Sequence, residues 1–492
     1  MSPILILILV LTYFLSLLWV ARVTSRGADA HAFYIGGRQS RWYVVAYGMI
    51  GTSLSGVTFV SVPGEVGIKQ WAYLQIVLGY WAGYIVIALV LLPLYYRLQV
   101  TSIYSYLLER FGSVTYRTGS AFFIISRTLG ATARIFLVVN MLQVFVLDPL
   151  GIPFMVTAAV IVLFILLYTL RGGVKTIVWT DLIQTTCMLA SLVLSIWLIA
   201  EKLQLSLSGL MHTISQYELT KTFFWEWRDR NFFVKQFLSG MFITIAMTGL
   251  DQEMMQKNLS CRNLSDAQKN MFTFSVVLVV VNLLFLFLGA TLYAYMFETG
   301  IAAPARSDDV FPMLALQHLG QIAALIFLVG LISALYPSAD GALTALTSAF
   351  CIDILGLPQR QNLSEVERTR IRYLVHIGFA VIFLLCLLVF RLANKTAIIT
   401  TVLTIAGYTY GPLLGLYAFG LLTRSTIADR KSWLVCVLAP LISHGISLNS
   451  EKWFFGYQLG FELLLVNALL TFLGLWLISR KNLNSAKVVA ES

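Results

Sequence analysis

Two arginines stand seven residues apart inside one apolar stretch, SAFFIISRTLGATARIFLVVNMLQVF. As helix, this spacing puts Arg127 and Arg134 two turns apart on one face. A guanidinium keeps its proton when buried, so each needs a counter-charge, either an internal acid (Glu65, Asp181 or Asp251) or an anionic ligand. A helix rising from residue 119 carries Arg134 about 22 Å into an apolar layer, too deep to reach the near surface easily. A second cluster is LISALYPSADGAL, residues 331–343. Pro337 cannot donate to the carbonyl of Ser333, and its ring pushes that carbonyl away. Ser338 adds a hydroxyl, and Asp340 follows three residues after Pro337 on nearly the same face. Carbonyl, hydroxyl and carboxylate oxygens are what a hard cation takes, and a buried carboxylate is also a proton carrier. The plainer alternative is a proline kink.

These residues sit in elements that cross a membrane. Of 492 residues, 59% are hydrophobic and 12% charged, and many stretches exceed 18 apolar residues, enough to cross a bilayer as helix. We read thirteen spans, centred near residues 12, 55, 85, 132, 160, 188, 244, 283, 337, 381, 408, 440 and 467. The first run lacks a preceding basic residue and a cleavage site, so it reads as a retained helix. With the N-terminus outside, 22 Lys and Arg fall inside and ten outside, which predicts N-out and C-in. The net charge of +11 then belongs to cytoplasmic loops and not to a nucleic-acid surface. Five scattered cysteines and five scattered histidines form no metal or disulfide pattern. No His, Cys or paired-acid cluster with a nucleophile points to an enzyme. The expected partners are a small solute and the lipid bilayer, with no obligate protein partner evident.

Span two reads YGMIGTSLSGVTFVSVPG and span seven reads SGMFITIAMTGLDQEMMQ. Both are interrupted by small and polar residues. They open two runs of five spans, two to six and seven to eleven, which enter from opposite sides because five is odd. Interrupted helices at matching positions of inverted halves indicate a transporter with its site at the midplane. The alternative is close helix packing through small residues.

FYIGGRQSRW, YTLRGGVKTIVWTDLIQ, DQEMMQKNLSCRNLSDAQK, PSADGALTALTSAFCIDIL and IAGYTYGPLLGLYAFGLLTR resemble successive motifs of the sodium/solute symporter family, in order over residues 33–424. The resemblance implies an all-α multi-pass protein of the cell membrane, of bacterial type, with a LeuT-type 5+5 inverted repeat. One extra helix (1–21) precedes a first repeat (42–201) and a second repeat (232–423), and two helices follow (432–480). It implies sodium as coupling ion, held by residues matching Gly51, Leu54, Ala334, Pro337 and Ser338, where Pro337 replaces a usual hydroxyl ligand. A second cation or proton site would match Asp181 and Asp340, with Gly341 at another ligand position. Helix four would flank the substrate cavity, making Arg134 the carboxylate grip, with Ser53, Ser55 and Thr58 offering hydroxyls, Gln75 an amide, and Asp251 a polar contact. Arg127 suits an internal ion pair better. The implied activity is sodium-driven import of a sugar acid such as sialate, or an amino or monocarboxylic acid. Proton coupling, or a neutral sugar or polyol as cargo, are the alternatives.

Overall fold

The computed structural model describes residues 3–24, 40–98, 102–360, 362–393 and 397–480. Residues 33–39 of FYIGGRQSRW lie outside the described residues. The chain is helical almost throughout, because an apolar environment leaves backbone groups no partner but their own helix. After α1 (Pro3–Thr24), the second span is two helices, α2 (Trp42–Ser53) and α3 (Val57–Lys69), bent by 64°. The break falls where the small residues cluster: Leu54 is extended, with φ −87° and ψ 105°. Gly56 is needed there, since a Cβ would stand 2.5 Å from Val138.

α4 (Tyr73–Leu98), α5 (Ser113–Leu150) and α6 (Phe154–Lys202) follow. The spans expected near residues 160 and 188 are joined by helix, so α6 is traced as one element carrying two apolar pieces, Phe154–Leu167 and Thr180–Lys202. A short helix, Leu207–Gln216, sits in the long polar stretch that follows. α7 (Phe233–Gly249) and α8 (Gln252–Leu259) repeat the broken pattern with a 67° bend. Asp251 caps α8, its carboxylate accepting from Glu253 N at 3.0 Å and Met254 N at 3.2 Å.

α9 (Leu264–Thr299), α10 (Gln321–Ile354) and α11 (Glu365–Ala393) are long and apolar. α10 runs unbroken through Pro337. A buried proline helix persists because neighbouring elements hold it on all sides, and every residue from Gly330 to Ala349 is buried. α12 (Ile398–Thr409) and α13 (Gly411–Leu422) bend by 45°, followed by α14 (Asp429–Trp453) and α15 (Leu463–Leu477). Among the described residues, seven helices are long and apolar enough to cross a membrane, or ten if each bent pair is one span. α10 packs chiefly on α6, and α7 on α4 through Gly79 and Gly240.

Candidate functional site

The two breaks meet a cavity of about 110 Å³. Ser53, Ser55 and Thr58 line it from the α2–α3 break, Arg127 and Arg134 from α5, and Thr244 and Thr248 from α7. Tyr73, Tyr80 and Tyr84 of α4 and Asn282 of α9 complete its polar wall. The two charged residues that line it are both arginines.

Their surroundings differ. Arg127 is buried and paired with Glu253, and its Nη1 lies 3.6 Å from Asp251. Arg134 makes no ion pair with any carboxylate among the described residues. The internal partners expected for it are engaged elsewhere. Glu65 pairs with Lys69, Asp181 with Lys257, and Asp251 with Tyr410 and its own helix end.

Two expected contacts fall off the cavity wall. Gln75 is fully buried, but its amide donates to Asn231 O at 2.8 Å and Ala72 O, and accepts from Phe224 N. It ties α4 to the chain before α7. Asp251 is engaged in capping α8, with the Tyr410 hydroxyl at 3.0 Å and with Arg127 at 3.6 Å. A carboxylate at a helix start is pulled into the cap by two unsatisfied N–H groups, a local preference that outweighs reaching a ligand.

Beside the cavity lies a network the sequence reading missed. Lys257 Nζ, buried, donates to Asp181 Oδ2 at 2.8 Å and to Thr52 Oγ1, and lies 3.7 Å from Glu253 Oε1. Asp340 acts on the same ammonium. Asp181 therefore pairs with Lys257 and not with Arg127. The available signal was the spacing in DQEMMQK: Glu253 and Lys257 are four apart on one face, within a buried helix.

The residues matched to a sodium site have the oxygen chemistry a hard cation needs. Among the described residues no backbone N–H donates to the carbonyls of Gly51 or Leu54, the ones opened by the break. Ser338 Oγ is buried without a hydrogen-bond partner. α10, which carries Ala334, Pro337 and Ser338, packs against α2. Gly51 is also held tightly to α6, where a Cβ would stand 2.1 Å from Thr185 Oγ1.

The sequence pattern of the Sodium:solute symporter family matches residues 33–426. The sodium/sialic acid symporter SiaT of Proteus mirabilis is 22% identical, over 87% of this chain and 86% of its own. The human sodium-coupled monocarboxylate transporter 1 is 26% identical, over 79% of this chain and 64% of its own. A solved Na+-coupled sialic acid symporter, substrate-bound and outward-open and described with a novel Na+ site, superposes with a TM-score of 0.81. The identity is 19%, covering 97% of this chain and 99% of that one. A nucleobase-cation-symport-1 family transporter superposes at 0.51 with 14% identity, covering 90% and 92%. With its broken helices, bare carbonyls and the match across most of its length, this chain belongs to the sodium:solute symporter family.

Proposed function

We propose that the chain imports a small carboxylate-bearing solute together with sodium, by alternating access, and that Arg134 grips the carboxylate. The carrying observation is the contrast between two arginines on one helix face: Arg127 is neutralised by Glu253 and Asp251, while Arg134 faces the cavity without an acid. A bare guanidinium deep in a membrane protein is costly, and an anionic ligand supplies what the chain withholds. The relatives named for sialic acid and monocarboxylates support this cargo class.

The cavity narrows the choice. No carboxylate among the described residues lines it, so a substrate ammonium finds no counter-charge there and amino acids are disfavoured. The hydroxyls of Ser53, Ser55 and Thr58 and the tyrosines suit a hydroxy acid or other monocarboxylate. At roughly 30 Å³ per water-sized group, a volume of about 110 Å³ takes a short acid as it stands. A sialate-sized acid requires the cavity to open.

Ten spans with the bent pairs, plus the shorter apolar helices Val10–Trp19, Phe154–Leu167 and Leu463–Leu477, support thirteen spans with the five-helix runs beginning at the two broken pairs. The excess of basic residues on one side supports N-out and C-in, in a cell membrane of bacterial type. In this topology Gly51, Leu54, Ala334 and Ser338 hold the coupling sodium, and the chain is a carrier and not an enzyme.

The test is uptake into proteoliposomes under a sodium gradient, with pyruvate, lactate, sialate, alanine and glucose as competitors. Arg134→Ala is expected to weaken carboxylate uptake about 10- to 100-fold, the worth of a charged hydrogen-bonded pair. Arg134→Lys, which keeps the charge but loses the fork, is expected in between. Unchanged carboxylate uptake in Arg134→Ala would overturn the assignment. A proton gradient that drives uptake without sodium would replace the coupling ion.

A further inference from the structure

The Lys257 ammonium is buried among oxygens. It donates to Asp181 Oδ2 at 2.8 Å and to Thr52 Oγ1, and lies 3.7 Å from Glu253 Oε1, an ion-pair distance too long for a hydrogen bond. The Asp340 carboxylate adds its negative charge to the same surroundings. Lys257, Asp181, Glu253, Thr52 and Asp340 are all at least 96% buried. The side chains come from α2, α6, α8 and α10, so the ammonium joins both broken helices to the two helices that pack on them.

An oxygen shell of two or three carboxylates and a hydroxyl is the donor set of a hard metal cation. Two oxygens of these carboxylates, Asp181 Oδ1 and Glu253 Oε1, are buried without a hydrogen-bond partner. Position 341 is glycine, and a Cβ there would stand 2.0 Å from Glu253 Oε1. The carboxylate of Glu253 therefore fills the space a side chain at 341 would take, and delivers its oxygens next to Asp340.

Charge decides what must sit in the shell. Asp181, Asp251 and Glu253 face Arg127 and Lys257, the charge of Asp340 also acts on Lys257, and Arg134 is turned to the cavity. Removing the ammonium adds one uncompensated negative charge to a cluster already rich in carboxylates, in a place where an unpaired charge is strongly unfavourable.

We propose that Lys257 is a tethered cation that occupies, covalently and permanently, a second cation site built from Asp181, Thr52, Glu253 and Asp340. Transport is then coupled to the single sodium held at the α2 break and α10. Replacing the ammonium with an apolar group frees the shell and creates a second sodium site. The inference rests on the sodium-coupled reading above and specifies its stoichiometry.

The experiment counts radioactive sodium bound to the purified full-length protein by equilibrium dialysis in choline-balanced buffer, without solute. Wild type and Lys257→Arg are expected to bind one sodium per chain. Lys257→Met is expected to bind two, and to unfold in choline at a lower temperature that sodium restores. The double variant Lys257→Met/Asp181→Asn, with both charges gone, is expected to return to one. A folded Lys257→Met that binds one sodium overturns the inference, as does wild type binding two. Lys257→Met that stays unfolded at every sodium concentration also overturns it, because sodium was to replace the ammonium. Wild type binding none removes the sodium-coupled reading itself, and this inference with it.

Discussion

Arg127 and Arg134 show how far a residue's role depends on its neighbours. They share type, helix and face, yet one ends in an ion pair and the other in a cavity. The difference is made by Glu253, which α8 brings to Arg127 from 126 positions away. Glu253 is itself seated by the absence of a side chain at 341. Gly341→Ala is expected to lower the unfolding temperature in sodium by displacing that carboxylate, and Glu253→Ala to cancel most of the added loss. Strictly additive effects in this double-mutant cycle would show that the two positions are not coupled. Pro337→Ser offers a complementary test, because it returns a hydroxyl next to the unpartnered Ser338 Oγ. One added neutral ligand is worth about 1 kcal/mol, or roughly five-fold tighter sodium binding. Unchanged or weaker binding would mean that position 337 does not face the ion.

The elements divide into those that bend and those that must pack closely. α2–α3 and α7–α8 bend where small residues and a capping aspartate release the backbone, and both bends expose polar groups towards the cavity. α10 carries a proline yet stays whole, since the flanking helices fix its path. α4 and α7 approach so closely that a Cβ at Gly79 would stand 2.1 Å from Phe237 O, and one at Gly240 would stand 2.2 Å from Ile76 O. Backbone cannot give way as a side-chain tip can. Gly79→Ala and Gly240→Ala are each expected to cost about 1–3 kcal/mol of stability, as overpacking does. Gly378→Ala on α11, where nothing lies within 4 Å, is the control and is expected to be neutral or slightly stabilising. Equal effects at all three, read by thermal unfolding in detergent, would contradict the close-packing account.

At the scale of the whole molecule, the cavity adjoins another. A second, of about 310 Å³, is lined by Glu65, Lys69 and Tyr408 and shares Tyr73, Ile399 and Leu403 with the first. Those three side chains form the partition between them, and Gln75 anchors α4 beside it. A ligand that binds only the folded protein stabilises it by mass action. Sodium at about a hundred times its dissociation constant is expected to add about 2.7 kcal/mol. The check is thermal unfolding in sodium against choline at equal ionic strength. A further rise with a monocarboxylate in sodium only is the signature of coupled binding, whereas identical curves in the two salts would remove sodium from the account.

Much of this was legible in the chain alone. Apolar length determined a helical membrane protein, the glycine and serine clusters determined where two helices open, and the ordered motifs from FYIGGRQSRW to IAGYTYGPLLGLYAFGLLTR pointed to the family. These are local properties, set by residues within a few turns of one another. What the tertiary structure decided was every pairing across the bundle. It assigned Asp251 to a helix cap, Gln75 to a loop anchor, Arg127 to Glu253, and Asp181 to Lys257. A buried charge takes whichever opposite charge the packing brings within reach. That distance is set by helices far apart in sequence, so no local pattern carries it.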